Sequence, residues 1–106
     1  MANHAEITTK EAWLFSDFGA EYAAKVFPAE MIEALPRYVR GDKAGKIKNH
    51  LIEWDKVERG GWITGGQGVE TRVGKVIRAR LIKRDWGQPS QVVAEFAKLD
   101  GKWTQV

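Results

Sequence analysis

The sequence predicts an α+β domain in which two N-terminal helices pack on one face of a four- to five-stranded antiparallel sheet. Three observations carry this. Apolar residues recur at helical spacing through the first third of the chain, they alternate at strand spacing through the rest, and Asp100-Gly101 near the end sits between two alternating runs.

Thr8 or Thr9 is suited to cap a helix whose first turn holds Glu11, where the helix dipole favours an acid. Across Lys10 to Phe27, Leu14, Phe18, Tyr22 and Val26 recur every four residues, with Phe15, Gly19 and Ala23 on the adjoining stripe. Pro28 ends that pattern and suits the first position of a second helix, Ala29 to Leu35, which buries Met31, Ile32 and Leu35 before Pro36 closes it. Residues 1–8 are expected to form a disordered tail and 9–106 a single domain.

From Pro36 the spacing changes to alternation. Arg37 to Arg40 reads as a short strand, Gly41 to Gly45 as a turn, and Lys46 to Val57 as a strand. Trp62 to Thr64 is a further short strand, and Gly65-Gly-Gln-Gly is a loop. Val69 to Arg84 is the clearest strand, with Val73, Ile77, Ala79 and Leu81 on one face and Arg72, Arg78, Arg80 and Arg84 on the other. Residues 91–99 also carry a helical stripe capped by Ser90, but Asp100-Gly101 favours a hairpin of strands 91–99 and 102–106, because a type I′ turn needs positive φ at both central residues.

The chain of 106 residues has no cysteine, which excludes disulfides and thiolate zinc sites. Its opening, Met1-Ala-Asn-His-Ala-Glu, lacks the basic and apolar regions of a secretory signal, and no apolar run approaches the roughly 20 residues of a membrane span. A cytoplasmic location without membrane contact is expected. The net charge of +3 is uneven: residues 1–44 hold five Lys/Arg against seven acids, whereas 45–106 hold twelve against seven. Such asymmetry favours an acidic partner.

No motif points to catalysis or to a cofactor. Gly61 and Gly66 have the glycine spacing of a phosphate loop, but Gln67 stands at its lysine position and Gly68 at its Ser/Thr position. His50 with Glu53 or Asp55 would face opposite ways on a strand, and no His, Asp or Glu group has metal-ligand spacing. Neither metal nor cofactor is expected.

The basic strand stands above this background. Arg72, Lys75, Arg78, Arg80, Lys83 and Arg84 lie in thirteen residues without an acid, and Lys46 and Lys48 extend the patch if their strand pairs alongside. Such a stripe neutralises phosphates, and the neighbouring Trp62 and Trp86 offer rings for base stacking. These ten residues are the candidate site, and a non-catalytic module binding nucleic acid through a basic sheet face is the leading expectation. The alternatives are a protein-interaction or inhibitor domain that binds an acidic protein surface, of the size common among phage and accessory genes, and an enzyme whose site is assembled across strands. Cross-strand pairing of Arg78, Arg80 and Arg84 with Glu53, Glu70 or Glu95 would neutralise the patch.

Overall fold

The computed structural model describes residues 4–60 and 73–106. The order of elements is β1 (His4–Trp13), α1 (Asp17–Val26), α2 (Ala29–Glu33), β2 (His50–Gly60), β3 (Val73–Lys83), β4 (Gln91–Leu99) and β5 (Lys102–Gln105). The strands form one open antiparallel sheet in the order β1-β2-β3-β4-β5. The α+β class is therefore as expected, with five strands. The expected strand Trp62–Thr64, the glycine loop 65–68 and the first residues of the strand from Val69 lie outside the described residues.

The N-terminus departs from the sequence expectation. His4 to Trp13 pairs along the full length of β2, from His4 opposite Gly60 to Trp13 opposite Leu51, so residues 4–8 of the expected tail and 10–13 of the expected helix belong to a strand. Ile7, Thr8 and Thr9 are β-branched and suit extended backbone, and β2 supplies their hydrogen bonds. Helix α1 starts at Asp17, and its cap is Ser16 rather than Thr8 or Thr9: the Ser16 hydroxyl accepts from the Gly19 amide at 3.1 Å and donates to the Trp13 carbonyl at 2.6 Å. One side chain thus joins the end of β1 to the first turn of α1.

Shifting the helix start changes which stripe is buried. Gly19, Ala23 and Val26 face the sheet, while Phe18 is 60% exposed with its ring beside those of Tyr22 and Trp54. The expectation that Phe18 lies in the core is corrected by this rotation. Pro28 precedes α2 as its cap residue, and Met31, Ile32 and Leu35 pack partly buried against the core.

The helix-side core gathers Ile52 and Trp54 of β2, Ala79 and Leu81 of β3, and Ala94 and Phe96 of β4 beneath Ala23, Val26 and Phe27. The apolar face assigned to β3 is correct at Ala79 and Leu81, both fully buried. Alternation turns Ile82 to the sheet's other side, where it is buried beside its partner Leu51, and the register shifts between Asp55 and Lys56 and between Leu81 and Ile82.

Residues 36–48 form no strand beyond a single bridge between Arg37 and Ile47, and β2 starts at His50. They fold instead into a turn held by Tyr38 N–H to Lys46 C=O (2.9 Å), Gly45 N–H to Tyr38 C=O (2.8 Å) and Lys48 N–H to Pro36 C=O (2.8 Å). Lys46 and Lys48 therefore do not extend the β3 face.

The β4–β5 hairpin forms as expected, with φ of 51° at Asp100 and 77° at Gly101. A Cβ on Gly101 would meet nothing within 4 Å, so its substitution costs backbone strain and no clash. Gly101→Val is expected to destabilise by about 1–2 kcal/mol, measured by urea unfolding, and a neutral effect would contradict the turn assignment.

Candidate functional site: an aromatic cleft beside a neutralised arginine face

On the sheet face away from the helices, the register brings acids from three strands to the arginines of β3. Arg80 stands between Glu53 and Glu95, and Arg78 stands opposite Asp55. Arg80 donates from Nε to Glu53 (2.7 Å) and from Nη1 and Nη2 to Asp55 (2.9 and 2.6 Å), with Glu95 at 3.5 Å. Arg78 donates to Glu95 at 2.9 Å. Arg84 makes a two-pronged contact with Glu11 (3.1 and 3.3 Å) and donates to Ser90 at 2.9 Å. Three guanidiniums thus meet four carboxylates, Glu11, Glu53, Asp55 and Glu95, for a net charge of −1. The hydrogen bonds from Arg80, joined by one from Thr9 at 2.9 Å, hold the Asp55 carboxyl below its usual range against the opposing effect of burial, and Asp55 in turn raises the Arg80 guanidinium. A phosphate on this face would have to displace a carboxylate at each arginine, so the expected basic stripe is not a free cationic surface.

The rest of the expected site disperses. Lys83 lies 3.6 Å from Asp85, and Lys75 lines a cavity at the other end of β3. Arg72 and Trp62 lie outside the described residues. His50 is buried and donates from Nδ1 to the Lys48 carbonyl at 2.8 Å, while Glu53 and Asp55 are engaged by Arg80. Among the described residues no group of three or more His, Asp or Glu side chains could hold a metal ion, and no helix is long and apolar enough to cross a membrane.

Trp86 and Arg84 come together elsewhere, at an open cleft of about 540 Å³ where β1 ends, β2 begins and β3 ends, and Lys48 reaches only the ring of Tyr38 in its wall. Its walls are Trp13, Phe15, Tyr38 and Trp86, with Asn49, Arg84, Asp85 and Gln88 between them. Trp13 and Phe15 stack with centroids 5.4 Å apart and planes 17° from parallel. They reach the cleft because Ser16 ends the β1 connection and starts α1 immediately after them. Trp86 is carried on a tight turn closed by Gln88 N–H to Asp85 C=O at 3.1 Å, with Gly87 at φ 77°, and it is 99% exposed. An indole left wholly in water forfeits the favourable burial of its ring, which marks a contact surface more than a packing residue.

Cations surround these rings. Lys43 Nζ lies 4.5 Å from the Phe15 centroid and 5.8 Å from that of Tyr38, Lys48 Nζ lies 5.9 Å from Tyr38, and the Arg84 guanidinium lies 5.9 Å from Trp13. The turn 36–48 holds Arg37, Arg40, Lys43, Lys46 and Lys48 against Asp42 alone, and among the described residues no carboxylate sits within 4.0 Å of any of these five cations. Asp85 is already engaged by Asn49 Nδ2 at 2.6 Å. Unpaired lysines therefore stand against the aromatic walls of the cleft, Lys43 at Phe15 and Tyr38 and Lys48 at Tyr38.

Sequence reasoning selected Trp86, Lys48 and Arg84 but missed Trp13, Phe15, Tyr38 and Lys43. The usable signal was Ser16-Asp17, a better cap than Thr8 or Thr9, because it would have released Trp13 and Phe15 from the helix stripe. No protein-family description, curated protein or solved structure matches the chain.

Proposed function

We propose that this chain is a non-catalytic binding module for single-stranded nucleic acid, engaged at the aromatic cleft and not on the arginine face of β3. The observation that carries the reading is Trp86, 99% exposed, at a cleft whose other walls are the stacked Trp13 and Phe15 and the ring of Tyr38. Unpaired bases offer flat faces to such rings, and Lys43, Lys46, Lys48 and Arg40 supply cations for the phosphates between them. Duplex DNA keeps its bases stacked inside the helix, so the cleft favours a single strand. The alternative partner, an acidic protein segment, would use the same exposed Trp86 as its anchor.

Fluorescence anisotropy with short single- and double-stranded oligonucleotides, from about 50 to 200 mM salt, tests the reading. The single strand is expected to bind more tightly and to weaken with salt. Trp86→Ala should lower its affinity about tenfold, within the range of one lost stacking contact, while the unfolding midpoint stays unchanged. Absence of binding at the lowest salt would overturn the nucleic-acid reading and leave the acidic protein partner. Unchanged binding by the Trp86 variant would remove the cleft from it.

A further inference from the structure

A second cavity, of about 730 Å³, opens at the other end of β3, between α1 and the β4–β5 turn. Three lysines from three elements line it: Lys25 in the last turn of α1, Lys75 on β3 and Lys98 on β4. One acid, Asp100, shares the lining, which leaves the group at +2. Among the described residues no carboxylate lies within 4.0 Å of any of the three ammonium groups. Gathering like charges without counterions is unfavourable, and an anion would relieve it.

We propose that this cavity binds a phosphate group, either free or carried as a monoester, with Lys25, Lys75 and Lys98 around the phosphate. The charge matches, because a phosphate monoester carries about −1.5 to −2 near neutral pH. The size favours the ester: small-molecule sites span roughly 300–1,000 Å³, far more than the bare anion needs. Trp103 and Val76 give the organic part an apolar wall. Burial raises the Tyr22 phenol, so its hydroxyl remains a proton donor within the same lining. The backbone contributes as well, since Gly101 leaves open space where a side chain would stand.

This inference does not depend on the nucleic-acid reading, and its test separates the two. The full chain is titrated with inorganic phosphate, adenosine monophosphate and adenosine while amide and indole signals are followed by NMR. Adenosine monophosphate is expected to move the Lys98 and Gly101 amides and the Trp103 indole, and adenosine to leave them in place. Tighter binding of the monophosphate than of inorganic phosphate identifies an ester, and equal binding identifies the free anion; both uphold the site. Lys25→Gln and Lys75→Gln, each at a position that folding does not bury, should weaken binding about tenfold, the loss of one charge-assisted hydrogen bond. Trp86→Ala should leave this affinity unchanged. No shift at about 10 mM of either phosphate, shifts confined to Trp13 and Trp86, equal shifts with adenosine, or wild-type titration by both lysine variants would each overturn the proposal.

Discussion

Gly19→Ala is expected to destabilise the fold by about 3 kcal/mol, although alanine is favoured over glycine within a helix by about 1 kcal/mol. A Cβ at position 19 would stand 2.0 Å from the Trp13 carbonyl oxygen, 2.7 Å from its carbon and 3.0 Å from Ser16 Oγ. The first two are backbone atoms at the end of β1, where Trp13 is paired with Leu51, so they cannot move without disturbing the sheet. The third is the cap, bonded to both the Trp13 carbonyl and the Gly19 amide. Relief of the clash therefore requires α1 to withdraw from β1, opening the core at Ala23 and Val26 and displacing Trp13 and Phe15 from the cleft. Urea unfolding of Gly19→Ala beside Ala24→Gly checks this. The second change lies on the exposed side of α1 and should cost only about 1 kcal/mol. Gly19→Ala as stable as the parent would show that α1 does not approach β1 this closely.

Arg80→Met is expected to cost about 3 kcal/mol at pH 7, because it leaves Glu53, Asp55 and Glu95 facing one another on a face where Arg80 is their shared counter-charge. The Arg80 side chain is only 15% exposed, so solvent does not replace those bonds fully. The pH dependence has a definite sign. Asp55 has a lowered pKa in the folded state, so its contribution is present above the unfolded value of about 3.9 and is lost as pH falls through the lower folded value. Arg80→Met removes the largest cause of that lowering, leaving Thr9 and Arg78, and adds carboxylate repulsion, which protonation relieves. The stability difference between variant and parent should therefore shrink from pH 7 to about pH 3. A difference below about 1 kcal/mol at pH 7, or one that persists undiminished in acid, would contradict the described network. Reversing Arg78 and Arg80 to Glu together is expected to destabilise the fold as well, since it would gather five acids there, the two introduced beside Glu53, Asp55 and Glu95.

What was legible in the sequence was local. Alternation in β3 places Ala79 and Leu81 in the core, and Asp100-Gly101 closes the last hairpin, because each is decided by neighbours within a few residues. The first strand was obscured because Leu14, Phe18, Tyr22 and Val26 continue a helical spacing across a boundary that Ser16 marks with a single hydroxyl. The arginine face was misjudged for a longer-range reason. Its counter-charges, Glu11, Glu53, Asp55 and Glu95, lie 15 to 73 residues from their partners and reach them only once strand register is known. The cleft is legible only in part, since Trp13 and Tyr38 are brought together by β1 pairing and by the turn 36–48, neither of which alternation reveals.

The proposed binding lies with the aromatic cleft, while the β3 arginines are occupied by their own carboxylates. An NMR titration of the full chain with a short single-stranded oligonucleotide distinguishes the two surfaces. Shifts are expected at the indole N–H groups of Trp13 and Trp86, at the Gly87 and Gln88 amides and along Lys43 to Lys48, with the amides of Glu53, Asp55, Arg78, Arg80 and Glu95 unmoved. Shifts concentrated on those five residues, with Trp86 silent, would contradict it.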